Sequence, residues 1–278
     1  AMSAFNTVIG TFVFSVYFAR GIVGADVEGP ALWAQSVAIS GFFVLILSPF
    51  LGGVADYAGR RKLWLAAFTI AALVPTALLW FSAPTPASIV PTMILMVLAT
   101  TAFELTYVFY NTLLLDVAPP DRLGRISGLG WGLGYAGGLV CLTVALFGLV
   151  GLGDMAPLLP LPTGESENLR ATGPLVALWW AIFALPLFLL VRERPGGMPL
   201  RQALGRGLKS LGGALGRIRK RPGMLRFLIA SAIYREGFNV LFAMGGIYAA
   251  GTFGLSFTEL LIFAIGLNVT SAVGAIGF

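Results

Sequence analysis

Histidine is absent from the 278 residues, cysteine occurs once, and only 11% of the side chains are charged. Without histidine the chain lacks the commonest metal ligand and the side chain best suited to moving protons near neutral pH. No metal site and no cofactor is expected, and any proton coupling has to rest on carboxylates. The single Cys141 lies within an apolar run and has no intramolecular disulfide partner. The scarcity of charge, together with a hydrophobic share of 58% and a mean hydropathy of +0.89, lies outside the range of water-soluble domains.

What is present is a succession of eight apolar runs near 4–22, 31–51, 63–81, 89–111, 128–150, 174–191, 225–249 and 258–278. Each supplies roughly the 20 residues a helix needs to cross the hydrocarbon layer. No period-2 alternation of the outer-membrane barrel type occurs, so the fold is expected to be all-α and polytopic. The first run leads into this pattern without an A-x-A site, so no cleavable leader is expected.

Fifteen of the 18 Lys and Arg fall in three segments, Arg60 to Lys62, Arg122 to Arg125 and Arg192 to Arg226. Of the alternate loops, the first carries only Asp26 and Glu28, the second no charge, and the long third one a single cation, Arg170. This asymmetry places the amino terminus in the cytoplasm. Although the net charge is +6, the cations punctuate apolar runs instead of forming a binding face, so nucleic acid is not an expected partner.

The segment 192–223 divides the chain into six spans over 1–191 and two over 224–278. Within it Leu200, Leu204, Leu208, Leu211, Leu215 and Ile218 recur at spacings of four and three, the pattern of an amphipathic helix on the inner leaflet. Five glycines between 205 and 216 weaken that helix by propensity. A membrane-surface tether is favoured over a face for a regulatory partner.

Ionisable groups inside a bilayer cost several kcal/mol unless they are paired or hydrated. Three lie within apolar runs, Glu104 in the fourth and Arg235 and Glu236 in the seventh, while Asn6 adds a polar group to the first. Thr100, Glu104, Tyr107 and Asn111 share one helical face, and Asn239 shares a face with Arg235 and Glu236. These residues are read as lining a cavity. The competing reading for Glu104 is a packing ion pair, and for Arg235 either a carboxylate clamp or a partner of Glu104. In the fifth run, glycines at 130, 134 and 138 have the G-x-x-x-G spacing and predict close helix packing.

The turn Gly52-Gly53-Val54-Ala55-Asp56-Tyr57-Ala58-Gly59-Arg60-Arg61-Lys62 resembles the signature loop of the major facilitator superfamily, with Tyr57 where a basic residue is usual. Gly52, Asp56, Gly59, Arg60 and Arg61 are expected to be gate and packing residues there, with Asp56 capping the next helix. Ser3-Ala4-Phe5-Asn6, the stretch from Phe109 to Asp116 continuing into Gly124 to Trp131, and Tyr234-Arg235-Glu236-Gly237 followed by Gly245 to Tyr248 resemble its vacuole-effluxer-like branch.

That resemblance implies two six-helix bundles and alternating access, of which this chain supplies about eight helices. It also implies a monomer and, from fungal members, transport of amino acids. The expected function is secondary transport of a small polar solute across a bacterial inner membrane, with proton coupling through Glu104 or Glu236, and no enzymatic activity. Alternatives are an exporter of lipids or lipophilic compounds and a sensor or scaffold that does not transport.

Overall fold

The computed structural model describes residues 2–151, 155–192, 197–255 and 257–277. Seven of its helices are long and apolar enough to cross a membrane, and no strand occurs among the described residues. They are α1 (Phe5–Val23), α2 (Glu28–Tyr57), α3 (Arg61–Leu78), α4 (Ile89–Val117), α5 (Leu123–Ala145), α6 (Thr172–Leu190) and, after an intervening amphipathic helix α7 (Leu200–Arg219), α8 (Pro222–Thr252). The last helix, α9 (Phe257–Gly277), contains a shorter apolar stretch, Ile262–Ala275. Every apolar run read from the sequence is a helix.

α1 is the most enclosed span and forms the centre of the core. It is not a regular α-helix. Its halves Phe5–Phe12 and Tyr17–Val23 run in wide i→i+5 turns around the short α turn Phe14–Val16. The Val13 N–H reaches Val8 O at 3.0 Å, and Thr11 Oγ1 donates back to Asn6 O at 2.9 Å. Ser15 Oγ donates in turn to Thr11 O at 2.7 Å. Hydroxyls that bond to carbonyls of the preceding turn compete with the backbone ladder and loosen it.

Around α1 pack α4, α5, α6 and α8, with Phe5, Phe103 and Trp180 in mutual ring contact. The glycines of α5 act as the G-x-x-x-G spacing predicts. A Cβ at Gly134 would come within 2.7 Å of Ser3 Oγ, and one at Gly138 within 2.8 Å of Thr7 Oγ1. On the other side of α5, Gly128 meets the Ala275 carbonyl of α9, where an added Cβ would lie 2.6 Å away. A second cluster, Val54, Ala55, Leu65, Phe109 and Leu113, joins α2, α3 and α4 at the end carrying the cationic turn, with Trp64 and Phe68 stacked on Phe109.

Large apolar side chains remain exposed along the outer faces of α2, α3 and α6, among them Phe42, Leu45, Ile70, Val74, Leu189 and Leu190. Such a belt is unfavourable in water and ordinary against acyl chains. The chain is a multi-pass membrane protein.

At the end opposite the cationic turn, Arg170 is buried and closes α3 against α6. Its Nε donates to Trp80 O at 2.7 Å, its guanidinium lies 5.2 Å from the Trp80 ring centroid, and Glu165 pairs with it at 3.6 Å. Arg170→Met keeps much of the packing but removes the charged donor. The expected loss is about 1–3 kcal/mol, read as a fall in Tm in detergent.

Candidate functional site

α4 brings Thr100, Glu104, Tyr107 and Asn111 onto one face. Glu104 is exposed although Ala102, Phe103, Leu105 and Thr106 beside it are buried, and Asn111 is exposed as well. Asn6 stands out in the same way from α1, between buried Phe5 and Thr7. Its side chain lies over Gly10, where a Cβ would sit 3.0 Å from Asn6 Oδ1. These polar groups therefore leave the core and face open space.

Arg235 and Glu236 lie midway along α8, with Asn239 one turn further, and all three are exposed. Arg235 and Glu236 are within electrostatic reach of Glu104. Among the described residues Glu104 forms no salt bridge with Arg235, and neither group has a hydrogen-bond partner in the chain. Of the two readings open for Arg235, the structure provides no direct pairing with Glu104.

α8 is asymmetric along its length. From Pro222 to Leu241 nearly every residue is exposed, whereas Gly246, Ile247, Ala249 and Ala250 are buried against α1. Gly246 abuts the Thr11 carbonyl so closely that any Cβ would collide with it. Trp33 Nε1 donates to Ala243 O at 3.2 Å, and the Arg20 guanidinium donates to Ala250 O. α1, α2 and α8 are thus pinned together at the end away from the cationic turn, while the part of α8 nearer that turn, with Arg235, Glu236 and Asn239, is exposed.

At the turn, α2 continues through Asp56 to Tyr57, so Asp56 does not cap α3, and its side chain is exposed. Arg60 occupies the cap position of α3, and no side chain caps that end. Gly59 (φ 66°) and Arg60 (φ 53°) both adopt left-handed backbone, which reverses the chain within three residues. Arg61 Nε donates to Ala55 O at 2.7 Å, and Lys62 Nζ donates to Phe188 O at 2.7 Å and Val191 O at 2.6 Å. Those carbonyls end α2 and α6, where cations also meet the negative end of the helix dipole. Gly52 has open space beside its Cα, and the close approach belongs to Gly53, against Gly207 of α7. Gly59→Val is expected to cost about 1–2 kcal/mol through its left-handed backbone, and Arg60→Gly to relieve strain of similar size. Tm values of the two purified variants check the opposite signs.

Some polar and aromatic groups had no sequence signal. A cavity of about 230 Å³ opens between α1, α3, α4, α5 and α6, lined by Ser3, Thr69, Tyr107, Tyr110, Trp131 and Trp180 among others. Trp131 stacks on Tyr107 with centroids 5.8 Å apart and planes 6° from parallel. Buried Asn268 of α9 accepts from Thr7 Oγ1 at 3.4 Å, tying α9 to α1.

Residues 118–278 match the family model described as vacuole effluxer Atg22 like, and residues 1–142 match that of the Major Facilitator Superfamily. An uncharacterized MFS-type transporter, YxiO, of Bacillus subtilis is 28% identical over 99% of this chain and 63% of its own length. Autophagy-related protein 22-1 of Penicillium rubens is 29% identical over 41% of this chain and 19% of its own. The chain thus spans less than two thirds of the length of these curated relatives. No solved structure matches it. With a helical membrane fold and two family models that each cover half of the residues or more, the chain belongs to the major facilitator superfamily, in its vacuole-effluxer-like branch.

Proposed function

We propose that the protein is a secondary transporter moving a small polar solute by alternating access. The observation that carries this reading is the placement of Glu104, Arg235 and Glu236. They are charged, lie mid-helix in membrane-length helices and are exposed with no salt bridge or hydrogen bond among the described residues, and we take them to face one cleft between α4 and α8. Such groups are tolerated in a bilayer where they meet water or a ligand. Arg235 presents a planar fork suited to a carboxylate, and Glu104 presents an acceptor suited to an ammonium group. An amino acid carries both groups.

Asn6, Tyr107, Asn111 and Asn239 supply neutral hydrogen-bonding groups around this pair of charges. Proton coupling falls to Glu104 or Glu236, since no histidine is available. Residues 1–191 are assigned to one six-helix bundle, 192–223 to a linker and 224–278 to the start of a second bundle. The cationic segments lie on the cytoplasmic side of a bacterial plasma membrane, so the amino terminus is cytoplasmic and the cleft is inward-open. A monomer is the working unit. Rocking of the two bundles would part α1 from α8 at the outer end while closing the cleft around Glu104.

A second reading, export of lipophilic compounds, is supported by the aromatic cavity beside Tyr107 and Trp131, which holds no charged side chain. Binding measurements separate the two. Amino acids that raise Tm in the parent but not in Arg235→Ala support the first reading. Apolar aromatics that raise it in both support the second.

A further inference from the structure

α7 has one broad apolar face, covered along one edge and left largely open along the other. Ala203 and Gly207 are buried, and a Cβ at Gly53 of α2 would lie 2.8 Å from Gly207 Cα and 3.5 Å from Ala203 O. This contact is made backbone to backbone. It is extended by the Met198 N–H, which donates to Tyr57 O at 2.9 Å, and by Gly197, whose Cα abuts the Ala58 carbonyl at the turn. α7 is therefore fastened to the last turns of α2 and to the chain reversal at Gly59 and Arg60.

The open edge is Leu200, Leu208, Leu211 and Leu215, all exposed and within about 80° of arc at 100° per residue, while Leu204 among them packs half-buried against the Val54–Phe109 cluster. Arg201 and Arg219 both border it on the same side, at about 100° on the same scale. From 197 to 226 the chain carries Arg201, Arg206, Lys209, Arg217, Arg219, Lys220, Arg221 and Arg226 and no Asp or Glu. All eight are exposed, and among the described residues none has a carboxylate partner.

A leucine stripe edged by uncompensated cations, held level with the end of a membrane-spanning helix, fits one surface. We infer that α7 binds the acidic phospholipids of the adjoining leaflet. The leucines enter the acyl boundary, while Arg201 and Arg219 take phosphate oxygens and the other cations raise the local positive potential. Because α7 is fastened to α2 through Gly53 and Gly207, lipid binding also holds the Gly59-Arg60 turn, and acidic lipid stabilises the folded protein. This inference stands without the transport reading, since it uses none of the cleft residues.

The test places a fluorophore on Leu215→Cys in a Cys141→Ser background, in nanodiscs of phosphatidylcholine alone or mixed with phosphatidylglycerol. Quenching by doxyl-labelled lipid is expected to be strong in the mixed bilayer and weak in pure phosphatidylcholine. Arg201→Gln and Arg219→Gln are each expected to lower the preference for the acidic bilayer about fivefold, and high salt to reduce it further. Tm in the mixed bilayer is expected to exceed that in phosphatidylcholine, and Gly207→Leu to abolish the difference. Equal lipid quenching in both bilayers overturns the lipid site. So does a label reached by aqueous iodide only, or one shielded by added RNA regardless of lipid charge. A Tm difference that survives in Gly207→Leu overturns the coupling to the turn.

Discussion

Replacing Arg235 by alanine is expected to remove substrate binding while leaving the protein folded. The side chain is exposed and, among the described residues, has no hydrogen bond or salt bridge, so its loss opens no cavity in the core. If its guanidinium holds a substrate carboxylate, truncation costs about 2–4 kcal/mol, or roughly thirtyfold to nearly a thousandfold in affinity. Arg235→Lys keeps the charge but not the fork and is expected to recover only part of this. Glu104→Gln separates binding from coupling. Where Glu104 carries the proton, the variant exchanges substrate across proteoliposome membranes but fails to accumulate it against a gradient. Gel filtration and Tm matching the parent establish that the variants are intact.

Gly246→Leu is expected to produce the largest structural effect. The Gly246 Cα rests on the Thr11 carbonyl, so helices α1 and α8 meet there at backbone distance. A leucine forces them apart, and the bonds from Trp33 to Ala243 and from Arg20 to Ala250 lie within about one turn of the lesion. Overpacking of this kind costs about 1–3 kcal/mol before the lost bonds are counted. Ala250 is buried in the parent, at 1% exposure. Ala250→Cys in a Cys141→Ser background is therefore expected to resist a membrane-impermeant maleimide, and to react once Gly246→Leu is added. Unchanged labelling and Tm in the double variant mean that α1 and α8 are not closed at this end.

The helices were legible because the bilayer imposes a length that soluble helices need not respect; seven of the runs meet it among the described residues, while α9 shows a shorter apolar stretch. Their limits were less so. α2 reads as an apolar run ending at Leu51 but continues to Tyr57, because its last turns leave the hydrocarbon and are held by packing against α7. For the same reason Asp56 misled: in sequence it stands before α3, but in the fold it is still within α2, and the left-handed Gly59 and Arg60 make the turn. Lys62 read only as a topology signal and Arg61 as a gate or packing residue, since nothing local shows that the carbonyls they cap belong to α2 and α6.

α7 was legible from its leucine spacing despite five glycines. Gly207 turns out to be a contact residue, while Gly205, Gly212 and Gly216 face open space. The polar face of α4 followed from spacing alone. By contrast, the cavity beside Trp131 draws its walls from five helices, and the Asn268 bond to Thr7 spans 261 residues. No local pattern encodes such meetings. The irregular winding of α1 was equally hidden, because Thr11 and Ser15 are unremarkable in a membrane helix until their bonds to the preceding carbonyls are seen.

The most direct measurement is a thermal-shift screen of the purified protein and its Arg235→Ala variant against amino acids, short peptides, sugars and organic cations. A ligand of the folded state raises Tm by mass action, by about 2.7 kcal/mol of added stability at a hundredfold excess over Kd. The expected result is a shift with one or more amino acids in the parent that is absent in Arg235→Ala. A shift of equal size in both proteins, or shifts with lipophilic compounds alone, contradicts a polar substrate held by Arg235 in the cleft.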